Sequence, residues 1–214
     1  TYAAYQACVK ARKCPRSKPA YNDYDRPNQP MVGLSWYQAN TYCKAVGKHL
    51  PTDAEWEKAA RGPDGELYPW GDEEPTCERA VLMDATGRSC GVRKARPKGH
   101  KGRTLVVKSR PAGRYGLYDM IGNAEEWTAD WYTRDWASCG EDCAGSDPKG
   151  PCPDTPPEAR CKRHRKKSVR GGSWYWPKAC ATSWTRRPHF PKNDPYHHFG
   201  FRCAASVEEA RALR

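Results

Sequence analysis

Tyr115–Trp131 reads YGLYDMIGNAEEWTADW. Gly116 marks a turn, Gly122 a second, and Asn123, Glu125 and Glu126 stand just ahead of Trp127. The apolar residues fit neither a 3.6-residue helix nor strict alternation. The stretch therefore predicts a loop-rich core segment, with aromatic rings packed inside and backbone carbonyls turned toward a bound group. Ca2+ is one candidate, because it takes carbonyls, Asn oxygen and carboxylates together. The alternative is a glycine-turned loop whose acids face water, as most acidic side chains do.

The flanks hold clearer local signals. Tyr2, Tyr5, Cys8 and Val9 recur at helical spacing, which predicts a helix over 2–12 that ends near Pro15. Residues 15–30 read as a surface loop, and Met31–Leu34 as a short strand. Ser35 with Gln38 and Thr52 with Glu55 are capping boxes. They predict helices that stop at Gly47 and Gly62. Turn residues dominate Pro63–Pro75, and Leu105–Val107 reads as a short strand. Residues 137–168 form an insertion rich in Cys, Pro and charge. Ser206 with Glu209 predicts a cap for a short terminal helix.

Composition narrows the class. The 214 residues fit one domain, 1–214, large enough for a core. Mean hydropathy is −1.00, so little of the chain reads as buried regular strand. Nine Trp and twelve Tyr must supply much of the burial, and each brings an N–H or O–H that needs a partner. No apolar run approaches membrane-spanning length. The net charge of +12 comes largely from two basic runs. One holds Arg93, Lys94, Arg96, Lys98, Lys101 and Arg103, the other Lys162-Arg163-His164-Arg165-Lys166-Lys167. Such clusters attract polyanions. With no nucleic-acid module and no interleaved aromatics, an acidic protein or anionic glycan is the expected partner, against a plain solvated surface. Eleven Cys without zinc-type spacing point to disulfides in an oxidising compartment, extracellular, periplasmic or at the cell surface.

Gly-Leu-Tyr-Asp-Met-x-Gly-Asn-x-x-Glu-Trp resembles the central motif of the formylglycine-generating enzyme (sulfatase-modifying factor) family. Residues 34–62, LYPWGDEEP (67–75), VRGGSW (169–174) and GFRCA (200–204) extend the likeness over nearly the whole chain. The resemblance implies an α+β, loop-rich, C-type-lectin-like fold. In that family a short strand precedes this point, so the abrupt start at Thr1 reads as a mature or trimmed piece of a longer product. Proximity and resemblance together suggest the bonds Cys8–Cys14, Cys43–Cys203 and Cys77–Cys90. Cys139, Cys143, Cys152 and Cys161 would pair among themselves in some order, leaving Cys180. The resemblance also implies structural Ca2+ held by the carbonyls of Ile121, Gly122 and Ala124 with the Glu126 carboxylate. A second cation site looks lost, with Ala80-Val81 where an oxygen-bearing side chain is expected.

The resembled enzymes bind Cu(I) through two thiolates and use oxygen to oxidise a substrate cysteine. Here Trp176 stands where the first thiolate belongs. Cys180 matches the second after a one-residue deletion. One thiolate does not make the two-coordinate site, so copper is not expected. Ser173 and Arg187 keep family positions, as site residues or as hydrogen-bonding structural ones. His189, His197 and His198, with Asp194, are a weaker metal candidate, their spacing matching no metal motif. There is no nucleophile elbow around GGSW and no phosphate-cradling loop. Two classes remain. One is a binding, scaffolding or accessory domain with a pocket lined by Trp174, Trp176, Trp184, Arg187 and His189. The other is a divergent enzyme acting on an exported protein or metabolite.

Overall fold

The computed structural model describes residues 1–19, 23–93, 102–146, 148–152, 165–192 and 197–213. Within them the opening stretch divides. Residues 115–124 are turns and irregular chain, but Glu125–Trp131 is strand β1. The expectation of a loop through Trp131 is thus corrected. Met120–Glu125 are all buried whatever their polarity, and in β1 itself Glu125–Thr128 are all buried. A strand covered on both faces shows no polar–apolar alternation.

β1 lies at the heart of a four-stranded sheet of order β3-β2-β1-β4. β2 (Lys167–Arg170) runs antiparallel to it, with Glu126 opposite Arg170 and Trp127 opposite Val169. β4 (Phe199–Phe201) runs parallel on the other side, with Glu126 opposite Gly200. β3 (Arg186–His189) pairs antiparallel with β2. Met31–Leu34 and Leu105–Val107 are not strands. Each makes isolated bonds instead: Gly33 N–H donates to the Phe199 carbonyl, and Leu105 pairs its backbone with the Asn123 side chain.

Helices α1 (Tyr2–Lys10), α2 (Trp36–Ala45) and α3 (Asp53–Arg61) precede the sheet, and α4 (Val207–Ala212) follows it. Ser35, Thr52 and Ser206 each close a full capping box with the residue three positions on. Each satisfies backbone donors that a helix start leaves orphaned. α1 buries Tyr5 and Cys8, α2 Ala39 and Cys43, and α3 Trp56 and Ala60. Bonds join Cys8 to Cys14, Cys43 to Cys203, Cys77 to Cys90 and Cys139 to Cys143. Cys152 is also disulfide-bonded, Cys161 lies outside the described residues, and Cys180 is a free thiol. The disulfides point to an oxidising compartment. No helix among the described residues is long and apolar enough to cross a membrane.

Three tryptophans anchor the core through their indole N–H groups. Trp127 donates to the Leu34 carbonyl, Trp56 to Glu126 and Trp36 to the Thr128 carbonyl. It also buries charge. Arg170 has no exposed surface, pairs with Asp53 at 3.0 Å and with Glu57 at 2.5 Å, and donates to the Trp184 carbonyl. Lys167, expected in the exposed basic run, is 2% exposed. Its ammonium donates to the Ala129 carbonyl and stacks between Trp36 and Trp131, so it is not a partner-facing charge.

α4 is held by a histidine clamp. His49 Nδ1 meets Glu209 at 2.8 Å and Nε2 meets Glu55 at 3.1 Å. Both glutamates are the third residues of their capping boxes, so His49 links the starts of α3 and α4. Burial pulls the imidazole pKa down, but the hydrogen bonds it donates to Glu209 and Glu55 and their negative charges outweigh it, and the net shift is upward. A histidine with a raised folded pKa contributes stability below its ordinary value near 6.5, and loses it as pH rises through the folded value. His49→Gln should therefore destabilise by about 0.5–1 kcal/mol at mildly acidic pH, a modest figure for a solvent-screened pair, and by almost nothing in alkali. Urea midpoints of both proteins across that range measure it; an equal loss at both ends removes the clamp.

Candidate functional site

Strand geometry sends neighbouring side chains to opposite faces, so Glu125 and Glu126 serve two different sites. Both are buried, which sets aside the solvent-facing alternative.

On one face Glu126 is held by Arg202 through both oxygens, at 2.6 and 2.8 Å, and by the Trp56 indole at 2.7 Å. A cavity of about 380 Å³ opens beside it, lined by Asn123, Ala124, Glu126, Asp119, Leu117 and Arg202 among others. Asn123 sits in left-handed backbone at φ 60°, and its side-chain oxygen accepts from Leu105 N–H. The Asn side chain is thus spent on the protein rather than on a cation. Three hydrogen bonds occupy most of the Glu126 acceptor capacity, and Oε1, with one bond, keeps room for another partner. A carboxylate oxygen with a spare lone pair beside a cavity is compatible with a hard cation. Asp119 also faces this cavity, its pKa raised chiefly by burial. Gly122 is required here: at φ +80° an added Cβ would lie 2.6 Å from the Val81 carbonyl oxygen.

On the other face lies the region of Trp176. Gly171-Gly172-Ser173 carries the chain out of β2, and both glycines have positive φ. A Cβ on Gly172 would strike the Cys180 carbonyl at 2.8 Å, so the two backbones meet only because glycine is there. Ser173 is fully buried, and its hydroxyl accepts from Tyr175 N–H. The Trp176 ring packs edge-on against Tyr175 at 4.9 Å and against His198 at 6.0 Å. Arg187 lies over it at 4.3 Å. Cys180, half-buried, ends a short 3-10 turn, Lys178–Cys180.

Glu125 points into this same cluster. It is 1% exposed, and Arg187 Nη1 stands 3.6 Å from its carboxylate. That is an ion pair, too long for a hydrogen bond. The Trp176 N–H is turned toward Glu125 but closes no well-formed hydrogen bond. Burial pushes the Glu125 pKa up to about 7, with Arg187 and Trp176 pulling the other way. His198 is pushed down to about 3, first by burial and then by the charges of His197, Arg187, His189 and Arg88.

Of the expected pocket residues, Trp176 and Arg187 come together. His189 packs its ring against Phe199 at 4.3 Å and Trp127, with its pKa lowered chiefly by burial. Trp174 is a core residue, 2% exposed, against Tyr24 and Val81. Trp184 is 44% exposed beside Tyr68. No three His, Cys, Asp or Glu side chains converge on a metal position among the described residues, and Asp194 lies outside them. Much of both basic runs, Lys94, Arg96, Lys98, Lys101 and Lys162 to His164, also lies outside. Arg103 pairs with Asp23 at 3.0 Å. Glu125, Arg88 and Tyr175 were absent from the sequence-derived site. Recognising β1 as a strand would have separated the two glutamates by parity.

The family model for the sulfatase-modifying factor enzyme 1-like domain matches residues 1–207. The formylglycine-generating enzyme of Thermomonospora curvata is 38% identical over 188 residues, covering 85% of this chain and 57% of that protein. The inactive C-alpha-formylglycine-generating enzyme 2 of Bos taurus is 44% identical over 111 residues, covering 48% of this chain and 33% of that one. This chain thus spans about half or less of these relatives' lengths. Among solved structures, PvdO from Pseudomonas aeruginosa superposes with a TM-score of 0.69 at 23% identity, covering 94% of this chain and 76% of that one, a likeness of fold. On the domain match and the identity to a formylglycine-generating enzyme, this chain belongs to the sulfatase-modifying factor enzyme 1-like domain family.

Proposed function

We propose that this domain has lost copper-dependent cysteine oxidation and acts as a binding, scaffolding or accessory domain of an exported protein. The observation that carries this is Trp176. By resemblance it stands at the position of the first copper thiolate, and its ring packs against Arg187, Tyr175 and His198. Cys180 is the free thiol among the described residues, and one thiolate does not fit a two-coordinate Cu(I) site. Aromatic and guanidinium groups are what recognition sites concentrate. The relative described as inactive supports the reading. Incubation with a Cys-x-Pro-x-Arg peptide, copper, oxygen and a thiol reductant should leave no aldehyde in the peptide. Aldehyde that disappears in Cys180→Ser would overturn the reading.

A second reading, a divergent enzyme on an exported protein or metabolite, is favoured by Glu125. A buried carboxyl poised near neutral pH beside an arginine suits proton transfer. We further propose that Ca2+ is held by the carbonyls of Ile121, Gly122 and Ala124 with Glu126 Oε1, where it would brace the loop before β1. The charge of +12 supports an acidic protein or anionic glycan as partner.

A further inference from the structure

We propose that the Tyr175–Trp176 pair and the guanidiniums stacked on it form an oxyanion site for a small anionic ligand, and that binding draws Arg187 away from Glu125. The proposal rests on reading the Trp176 region as a binding site, and adds the ligand's chemistry.

Arg88 lies 3.6 Å over the Tyr175 ring, and Arg187 lies 4.3 Å over Trp176. The two rings touch edge to face. Two arginines therefore bracket one aromatic pair. Stacking fixes the plane of each guanidinium and leaves its N–H edge to fork onto a planar or tetrahedral oxyanion. Arg187 Nη1 is buried and makes no hydrogen bond in this state. A buried guanidinium N–H without an acceptor has much to gain from one.

The surroundings favour an anion over a cation. Arg88 and Arg187 carry positive charge at the cluster, while His189 on β3 and His198 before β4, their pKa values lowered chiefly by burial, stay neutral near pH 7. Glu125 on β1 supplies the opposing negative charge. It competes for Arg187 at 3.6 Å without making a hydrogen bond, so a ligand offering short, charge-assisted bonds displaces it.

Sodium sulfate is the probe, because it carries no titrating proton near neutral pH. It is titrated calorimetrically at constant ionic strength set with sodium chloride. The expected result is saturable binding. Arg187→Ala and Arg88→Ala should each weaken binding about tenfold or more. Arg187→Lys, which keeps the charge and loses the fork, serves if the alanine variant does not fold. Glu125→Gln, which removes the charge competing for Arg187, should bind several-fold more tightly than wild type. Absence of saturable binding, arginine variants that bind like wild type, or Glu125→Gln that binds no more tightly than wild type would each overturn the proposal. The peptide aldehyde assay stands apart: aldehyde there would overturn the loss of oxidation and leave the sulfate result to decide the ligand chemistry.

Discussion

Replacing Arg170 with Met should cost the fold about 3–5 kcal/mol, the loss expected when one partner of a buried ion pair is removed. Arg170 is the centre of a charged layer between α3 and the sheet. It has no exposed surface and faces Asp53, 1% exposed, and Glu57, 29% exposed. It also lies over the Trp56 ring at 4.9 Å. Methionine keeps most of the side-chain volume, so the loss reports the charge more than a cavity. Asp53 would keep Ser168 and the more distant Arg186 at 3.4 Å. Its pKa is already raised, chiefly by burial, against the pull of Arg170 and Arg186. Removing Arg170 raises it further. An acid with a raised folded pKa is penalised as pH rises from its ordinary value near 3.9 toward the folded one. The variant should therefore lose more stability than wild type as the pH climbs above the ordinary aspartate value. Adding Asp53→Asn should recover part of the loss, since the stranded charge is then gone. Urea unfolding of the single and double variants at two pH values measures this; a wild-type midpoint for Arg170→Met means the layer does not carry the fold.

Glu126→Gln should cost about 2–3 kcal/mol and should abolish stabilisation by calcium. The cost lies below that of a fully buried pair because the Arg202 side chain keeps 24% of its surface exposed, where water screens it. The amide retains one acceptor for three donors, two from Arg202 and one from Trp56. One of those donors is left unmet, and Arg202 loses its counter-charge. If Ca2+ is bound at Oε1, excess calcium raises the wild-type melting temperature and leaves Glu126→Gln unmoved. A calcium-independent melting temperature in the wild type sinks the cation proposal. It leaves the ion-pair prediction intact, because the Arg202 and Trp56 contacts stand without the ion.

Reading by sequence alone reached what local chemistry controls. The capping boxes at Ser35, Thr52 and Ser206 span three residues each, and all three start helices. Cysteine parity set Cys180 apart, and Cys180 is the free thiol among the described residues. The family's motifs carried the fold class across the chain. Tertiary pairing decided the rest. β1 lies between β2 and β4, so its first four residues are buried whatever their polarity, and periodicity says nothing there. Met31–Leu34 and Leu105–Val107 have strand-like composition, yet no neighbouring ladder takes them up. Glu125 and Glu126 are adjacent in sequence and end in different sites because a strand alternates its faces. Their partners, Arg187 and Trp176 for one and Trp56 and Arg202 for the other, come from distant segments that only the folded sheet brings together. Side-chain charge is written in the sequence, but which charge meets which is a property of strand order and register, and those depend on contacts far apart along the chain.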